Sequence, residues 1–256
     1  MILNVNSVLD FIPKKIISLV PSQTELLFSM GLEKEVIGIT KFCIHPKTWY
    51  TTKTRIGGTK NLDIDKINLL QPDFIIANKE ENTKTEIELL AKKYPVLVTD
   101  INHLEDALEM IAAIGKFVNK SALANEIAQL IRQSFSSFNP FSKPQKKAVY
   151  LIWKNPYMTV GQDTFISDVL QKIGFTNCFQ HSTRYPTIAI NDIVKQDPDY
   201  IFLSSEPYPF KEKDINELRE SLPNCKILLV DGEMFSWYGS RLTHAASYFS
   251  QLLEKC

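Results

Sequence analysis

Asp63-Ile64-Asp65-Lys66-Ile67-Asn68-Leu69-Leu70-Gln71-Pro72-Asp73-Phe74-Ile75-Ile76-Ala77 reads as a short amphipathic helix, a Pro-Asp turn and a buried strand. Ile190-Asn191-Asp192-Ile193-Val194-Lys195-Gln196-Asp197-Pro198-Asp199-Tyr200-Ile201-Phe202-Leu203 repeats that plan in the other half of the chain. Proline stops each helix because it lacks an N–H and restricts the residue before it. The unbroken apolar runs that follow fit strands covered on both faces. One such unit per half predicts two similar α/β lobes, with a ligand cleft expected between them.

Working outward, Lys15-Ile16-Ile17-Ser18-Leu19-Val20 is a strand ended by Pro21. Ser22-Gln23-Thr24-Glu25 has capping-box spacing and predicts a helix over Thr24–Met30 that closes at Gly31. Val36–Thr40 is the next strand, and the segment Lys41–Lys60 that follows is irregular and a candidate functional loop. Helices are expected over Thr83–Lys93, Leu104–Val118 and Ser121–Phe138, the last stopped by Pro140 and Pro144. The second half restarts with a strand at Ala148–Trp153, a loop over Pro156–Gly161 and a helix over Thr164–Ile173 closed by Gly174. It ends with the strand Ile227–Val230, an aromatic loop over Asp231–Ser240 and a final helix from near Arg241. Alternating strands and helices predict α/β lobes with mainly parallel sheets. The expected division is 1–118 for the first lobe, 119–142 for one long connecting helix and 143–256 for the second lobe.

The 256 residues carry 29 basic and 29 acidic side chains, so the surface lacks the net positive charge that a nucleic-acid binder needs. No apolar run reaches the roughly 18 residues of a transmembrane helix. Residues 1–12 hold Asn4, Asn6 and Asp10 without a basic start or continuous apolar core, so they do not read as a signal peptide. Cys43, Cys178, Cys225 and Cys256 form no C-x-x-C pair. Cys178 and Cys225 read as small core residues, and Cys256 as exposed. There is no nucleophile elbow, H-E-x-x-H or phosphate-binding glycine loop, and no enzyme is expected.

The order Ile16–Leu26, Gly57-Gly58, Leu69–Ala77, Asn155-Pro156, Gly161 and Trp237-Tyr238-Gly239-Ser240-Arg241 resembles the helical-backbone solute-binding proteins of ABC importers, nearest their cobalamin-binding branch. The resemblance implies two lobes on one backbone helix with little hinge motion. It implies a periplasmic or cell-surface monomer with no covalent cofactor, carrying a corrinoid to a permease. A ferric-siderophore or haem receptor of the same fold is the alternative. A cytoplasmic corrinoid-handling protein or enzyme on this scaffold is another, favoured by the missing leader. At the family's ligand positions this chain has Phe42, Thr59, Asn78, Trp153 and Tyr185, and at its docking positions Asp65 and Asn191 with Asp192 beside it.

Phe42, Trp153, Tyr185, Phe235, Trp237 and Tyr238 fall in loops or at strand ends, where aromatic rings stack on a large ligand; the competing reading folds them back on the core. His45 and Cys43 suit a soft metal but are too few for a cage, so His45 is either an axial contact to a metal already held in a ligand or a backbone-bonded loop residue. Arg241 either grips a ligand amide or carboxylate, or anchors its own loop, for instance through Glu233. Asp65 and Asp192 either meet permease arginines or cap their helices.

Overall fold

The computed structural model describes residues 1–138 and 146–256. Pro140, Pro144 and the expected lobe boundary after residue 142 lie outside the described residues. By its internal contacts the chain divides into two compact units, each with its own parallel sheet.

The first unit comprises Met1–Ile101, Glu105–Ile131 and Trp237–Thr243. Its elements are β1 (Ile2–Leu3), β2 (Ile16–Ser18), α1 (Pro21–Ser29), β3 (Val36–Ile39), α2 (Lys47–Thr52), β4 (Thr54–Arg55), β5 (Gly57–Gly58), β6 (Asn61–Leu62), α3 (Ile64–Leu70), β7 (Phe74–Asn78), α4 (Lys84–Ala91), β8 (Val96–Thr99) and α5 (Leu104–Phe117). The sheet order is β1-β8-β7-β2-β3-β4 with every pairing parallel, and β5-β6 forms a separate antiparallel ribbon. Both faces of the middle strands are covered: Ile16, Ile17, Phe74, Ile75, Ile76 and Ala77 are all fully buried. The edge strand β1 has no strong sequence signal and was not expected.

The helix α6 (Ser121–Ser136) divides between the units after Ile131. At about 1.5 Å per residue its 16 residues give a rod of roughly 24 Å.

The second unit contains β9 (Lys146–Leu151), β10 (Tyr157–Met158), α7 (Phe165–Lys172), β11 (Phe175–Asn177), β12 (Thr187–Ile188), α8 (Ile190–Gln196), β13 (Tyr200–Ser204), α9 (Glu212–Ser221), β14 (Lys226–Val230), α10 (Gly232–Ser236) and most of α11 (Leu242–Glu254). Its sheet order is β11-β9-β13-β14, again wholly parallel, with β10-β12 as a small antiparallel pair. Val149, Leu151, Ile201 and Leu203 face a cluster that includes Ile193, Ile215 and Leu218. On the other side Phe235 packs against Tyr150 and Phe202 with tilted rings and meets Phe249 edge-on.

The repeated stretch is repeated in geometry. α3 and α8 each end on a left-handed residue just before the proline: Gln71 (φ 48, ψ 60) and Asp197 (φ 47, ψ 64). The aspartate after each proline clamps the start of the neighbouring strand. Asp73 accepts from the amides of Lys14 (2.8 Å) and Lys15 (2.9 Å), and Asp199 accepts from that of Lys147 (2.8 Å). The helices thus stop one residue earlier than the prolines require.

Two expectations change near α1. Pro21 does not merely end a strand; it opens the helix, where its missing N–H costs nothing. Val20 is the N-cap and makes no side-chain cap, so the Ser22–Glu25 capping box does not form. Glu25 has another partner, described below.

Candidate functional site

In parallel α/β sheets, functional groups gather beyond the carboxyl ends of the strands. In the first unit Phe42 and His45 follow β3, and Asn78 ends β7. In the second, Trp153 follows β9, Tyr208 follows β13, and the aromatic loop follows β14.

After β3 the loop alternates. Cys43 points inward and is fully buried, its Sγ 3.1 Å from both Thr24 Oγ1 and Thr40 Oγ1. Burial pushes its thiol above the ordinary range, against those hydrogen bonds. Its neighbours Phe42 and Ile44 consequently face outward, 50% and 45% exposed. Lys41 Nζ lies 5.1 Å from the Phe42 ring centroid. Both side chains rest on Gly58, where an added Cβ would come within 3.3 Å of each. The Cys43 thiol is thus engaged by two threonine hydroxyls.

His45 is half-buried and meets Trp237 edge-on, with ring centroids 5.5 Å apart. The guanidinium of Arg241 stacks 4.7 Å over the same Trp237 ring. Arg241 is held by Glu25 in a two-pronged ion pair: Nε donates to Oε2 at 2.9 Å and an Nη to Oε1 at 2.7 Å. This Glu25–Arg241–Trp237–His45 chain lies wholly in the first unit, because Trp237–Thr243 packs there. Gly239 permits it, since a Cβ at that position would come within 2.5 Å of the Ser22 carbonyl oxygen.

Several expected ligand residues have interior roles. Phe235 is a core residue with no exposed surface, and so is corrected from the candidate ligand set. Asn78 is 1% exposed; it donates to Thr99 and accepts from the amides of Glu80 (2.8 Å) and Glu81 (3.2 Å), which holds the turn after β7. Thr59 is buried beside it, its carbonyl taking a hydrogen bond from Asn82. Trp237 and Tyr238 are each only 6% exposed.

In the second unit Trp153 is 40% exposed and packs edge-on against Tyr208, centroids 5.7 Å apart. Tyr185 is half-buried in the loop before β12. Tyr208 was missed in the sequence, although Glu206-Pro207-Tyr208-Pro209-Phe210 sets proline-flanked aromatics directly after a buried strand. Lys154, next to Trp153, turns inward and donates to Asp214 (2.6 Å) and Glu217 (2.5 Å).

Of the docking pair, Asp65 is exposed on α3, whose N-cap is Asp63. Asp192 sits at the third position of α8, accepts from the Ala189 amide at 3.0 Å and pairs with Lys195. It therefore caps its helix. Aligned on the prolines, its place matches Lys66, and Asn191 matches Asp65. Cys256, expected to be exposed, is half-buried with its carbonyl bonded to Tyr200. Cys178 and Cys225 are partly buried against the second unit's core, as expected.

With this geometry in view, residues 16–222 match the model of one family, Periplasmic binding protein. The chain belongs to the periplasmic binding protein family. Among relatives in it, a vitamin B12-binding protein of Pectobacterium carotovorum is 22% identical over 92% of this chain and 86% of its own length. An uncharacterized ABC transporter substrate-binding lipoprotein of Bacillus subtilis is 26% identical over 74% of this chain; that match spans 63% of the relative, less than two thirds of it. Among solved structures, the periplasmic vitamin B12 binding protein BtuF of Vibrio cholerae superposes with a TM-score of 0.80 at 20% identity, covering 95% of this chain and 97% of that one. The periplasmic heme binding protein HutB of Vibrio cholerae gives 0.78 at 19% identity, covering 93% and 98%. At such identities the structural likeness establishes the fold alone.

Proposed function

We propose that this chain is a solute-binding protein that captures a bulky metal chelate, foremost a corrinoid, and hands it to an ABC importer. The observation that carries the corrinoid reading is the Glu25–Arg241 ion pair. A guanidinium neutralised by its own carboxylate offers no net charge to an acidic ligand. Lys154, beside Trp153, is neutralised in the same way. Haem propionates and acidic siderophores would want such cations, whereas a corrinoid presents an amide-rich rim to aromatic and polar side chains. The vitamin B12-binding relatives support this reading.

In this reading Phe42, Trp153, Tyr208 and Tyr185 supply contact area, and Trp237, Tyr238 and Arg241 support the shape of the first unit's surface. The chain acts as a binder and not a catalyst, as a monomer in the periplasm or at the cell surface, with no covalent cofactor. Asp65, with Asp192 in a lesser part, presents negative charge to the permease.

The half-buried imidazole of His45 favours haem as the second reading, through axial contact with iron. Absorbance titration with hydroxocobalamin, haemin and a ferric siderophore separates the two. Tightest binding of hydroxocobalamin, retained in His45→Ala, is expected; tighter haemin binding that His45→Ala abolishes would establish the second reading.

A further inference from the structure

We infer that Lys154 is a positioning residue that fixes Trp153 for ligand contact; this rests on the function proposed above. Trp153 and Lys154 are consecutive and face opposite ways. The indole is 40% exposed, whereas the Lys154 side chain is 9% exposed. The backbone at Trp153 is tied to the β10 strand: its carbonyl accepts from the Met158 amide at 3.1 Å, and the Ile152 amide donates to the Met158 carbonyl at 3.0 Å. Asn155, with φ 62, turns the chain between them.

The loop is anchored on its inner side at two points: Tyr157 packs against the second unit's core, and Lys154 Nζ, next to Trp153, makes the charged attachment. The ammonium meets Asp214 Oδ1 at 2.6 Å, in the first turn of α9, and Glu217 Oε2 at 2.5 Å, in the second. Asp214 is itself fixed, 1% exposed, its other oxygen accepting from the Lys211 amide at 2.8 Å. The loop is thus pinned to the first two turns of α9, and the aromatic beside the pin packs edge-on against Tyr208. Pre-ordering one bulky side chain in this way improves affinity by removing its ordering cost on binding, about 3–10-fold.

Lys154→Met alone strands a buried carboxylate, so the variant of choice is Lys154→Met with Asp214→Asn; Glu217 is 57% exposed and stays hydrated. Hydroxocobalamin affinity is measured in the native and Trp153→Ala backgrounds. The expected result is about 3–10-fold weaker binding in the native background and no further loss in Trp153→Ala. Equal loss in both backgrounds, or none in either, would overturn the role. Near-UV circular dichroism of the ligand-free protein reads the same point: the variant should change the aromatic signal only where Trp153 is present. If the native protein binds no corrinoid, haemin or ferric siderophore, the proposed function fails, and this ligand-free signal alone then decides whether Lys154 orders Trp153.

Discussion

Arg241→Leu should destabilise the first unit substantially while changing no residue of its sheet. The side chains of Arg241 and Glu25 are 13% and 22% exposed, so the pair is screened only in part. The substitution removes two charge-assisted hydrogen bonds, worth about 1.5–3 kcal/mol each in a protein, and a stacking contact on Trp237 worth about 0.5–1. Glu25 regains some water, which offsets part of this, and removing one partner of a largely buried pair costs about 3–5 kcal/mol. We therefore expect about 3 kcal/mol, or a melting midpoint about 6–12 °C lower in a chain of this size. Thermal denaturation followed by circular dichroism measures it. A cycle with Glu25→Leu should give a coupling of about 2 kcal/mol. An unchanged midpoint in Arg241→Leu with hydroxocobalamin binding lost would refute the reasoning, since Arg241 would then serve the ligand and not Glu25.

Trp237→Ala, at a 6% exposed position, should cost about 3–5 kcal/mol of stability, whereas Trp153→Ala, 40% exposed, should cost under about 1.5 and weaken hydroxocobalamin binding by about 2 kcal/mol; melting curves beside titrations check both. Burial opposes ionisation of Asp214, but its bonds to Lys154 and the Lys211 amide outweigh that and hold its carboxyl below the ordinary range. Its contribution is therefore present above the usual carboxylate pKa and disappears as pH falls through the lower folded value, and Asp214→Asn should flatten the acid limb of a denaturant-stability profile. Burial pushes the Cys178 and Cys225 thiols up to about 11 and about 12, so native protein at pH 7.5 should react with iodoacetamide far more slowly than unfolded protein, as read by mass spectrometry. Asp65→Lys should leave hydroxocobalamin affinity unchanged and slow uptake into vesicles bearing the permease, most strongly at low salt.

The sheets were legible because their central strands are unbroken apolar runs bounded by proline and glycine, and both runs are buried on two faces. Thr164 was legible as a helix start because its cap is local, its hydroxyl accepting from the Ser167 amide. Glu25 was misread for the opposite reason. Its local spacing suits a capping box, but its partner lies 216 positions away, and only the folded chain brings a full guanidinium within reach. Phe235 was misread because a turn of helix, α10, rotates it into the core among Tyr150, Phe202 and Phe249, where a loop would have left it outside. Trp153 and Phe42 stand out because the residue beside each, Lys154 or Cys43, is held inward by polar partners. Adjacent residues in extended chain point opposite ways, so the inward anchors account for the exposure of two aromatics that the sequence already offered as ligand contacts, with core packing as the competing reading.

The two Pro-Asp clamps answer a question of registry. Against β2 the apolar run Phe74–Ala77, buried on both sides, carries no polar group to tell one alignment from another, and sliding it by two residues would still set isoleucine against isoleucine. The carboxylates of Asp73 and Asp199 break that degeneracy, because they reach their amide partners in one alignment only. Those partners are 58 or 59 positions away in the first unit and 52 in the second, so each clamp can close only after a long stretch of chain has been gathered. Parallel pairing of such distant segments is slow. Asp73→Ala and Asp199→Ala would then act chiefly as folding-fidelity lesions, raising the share of off-register, aggregating chains more than they lower the stability of molecules already folded.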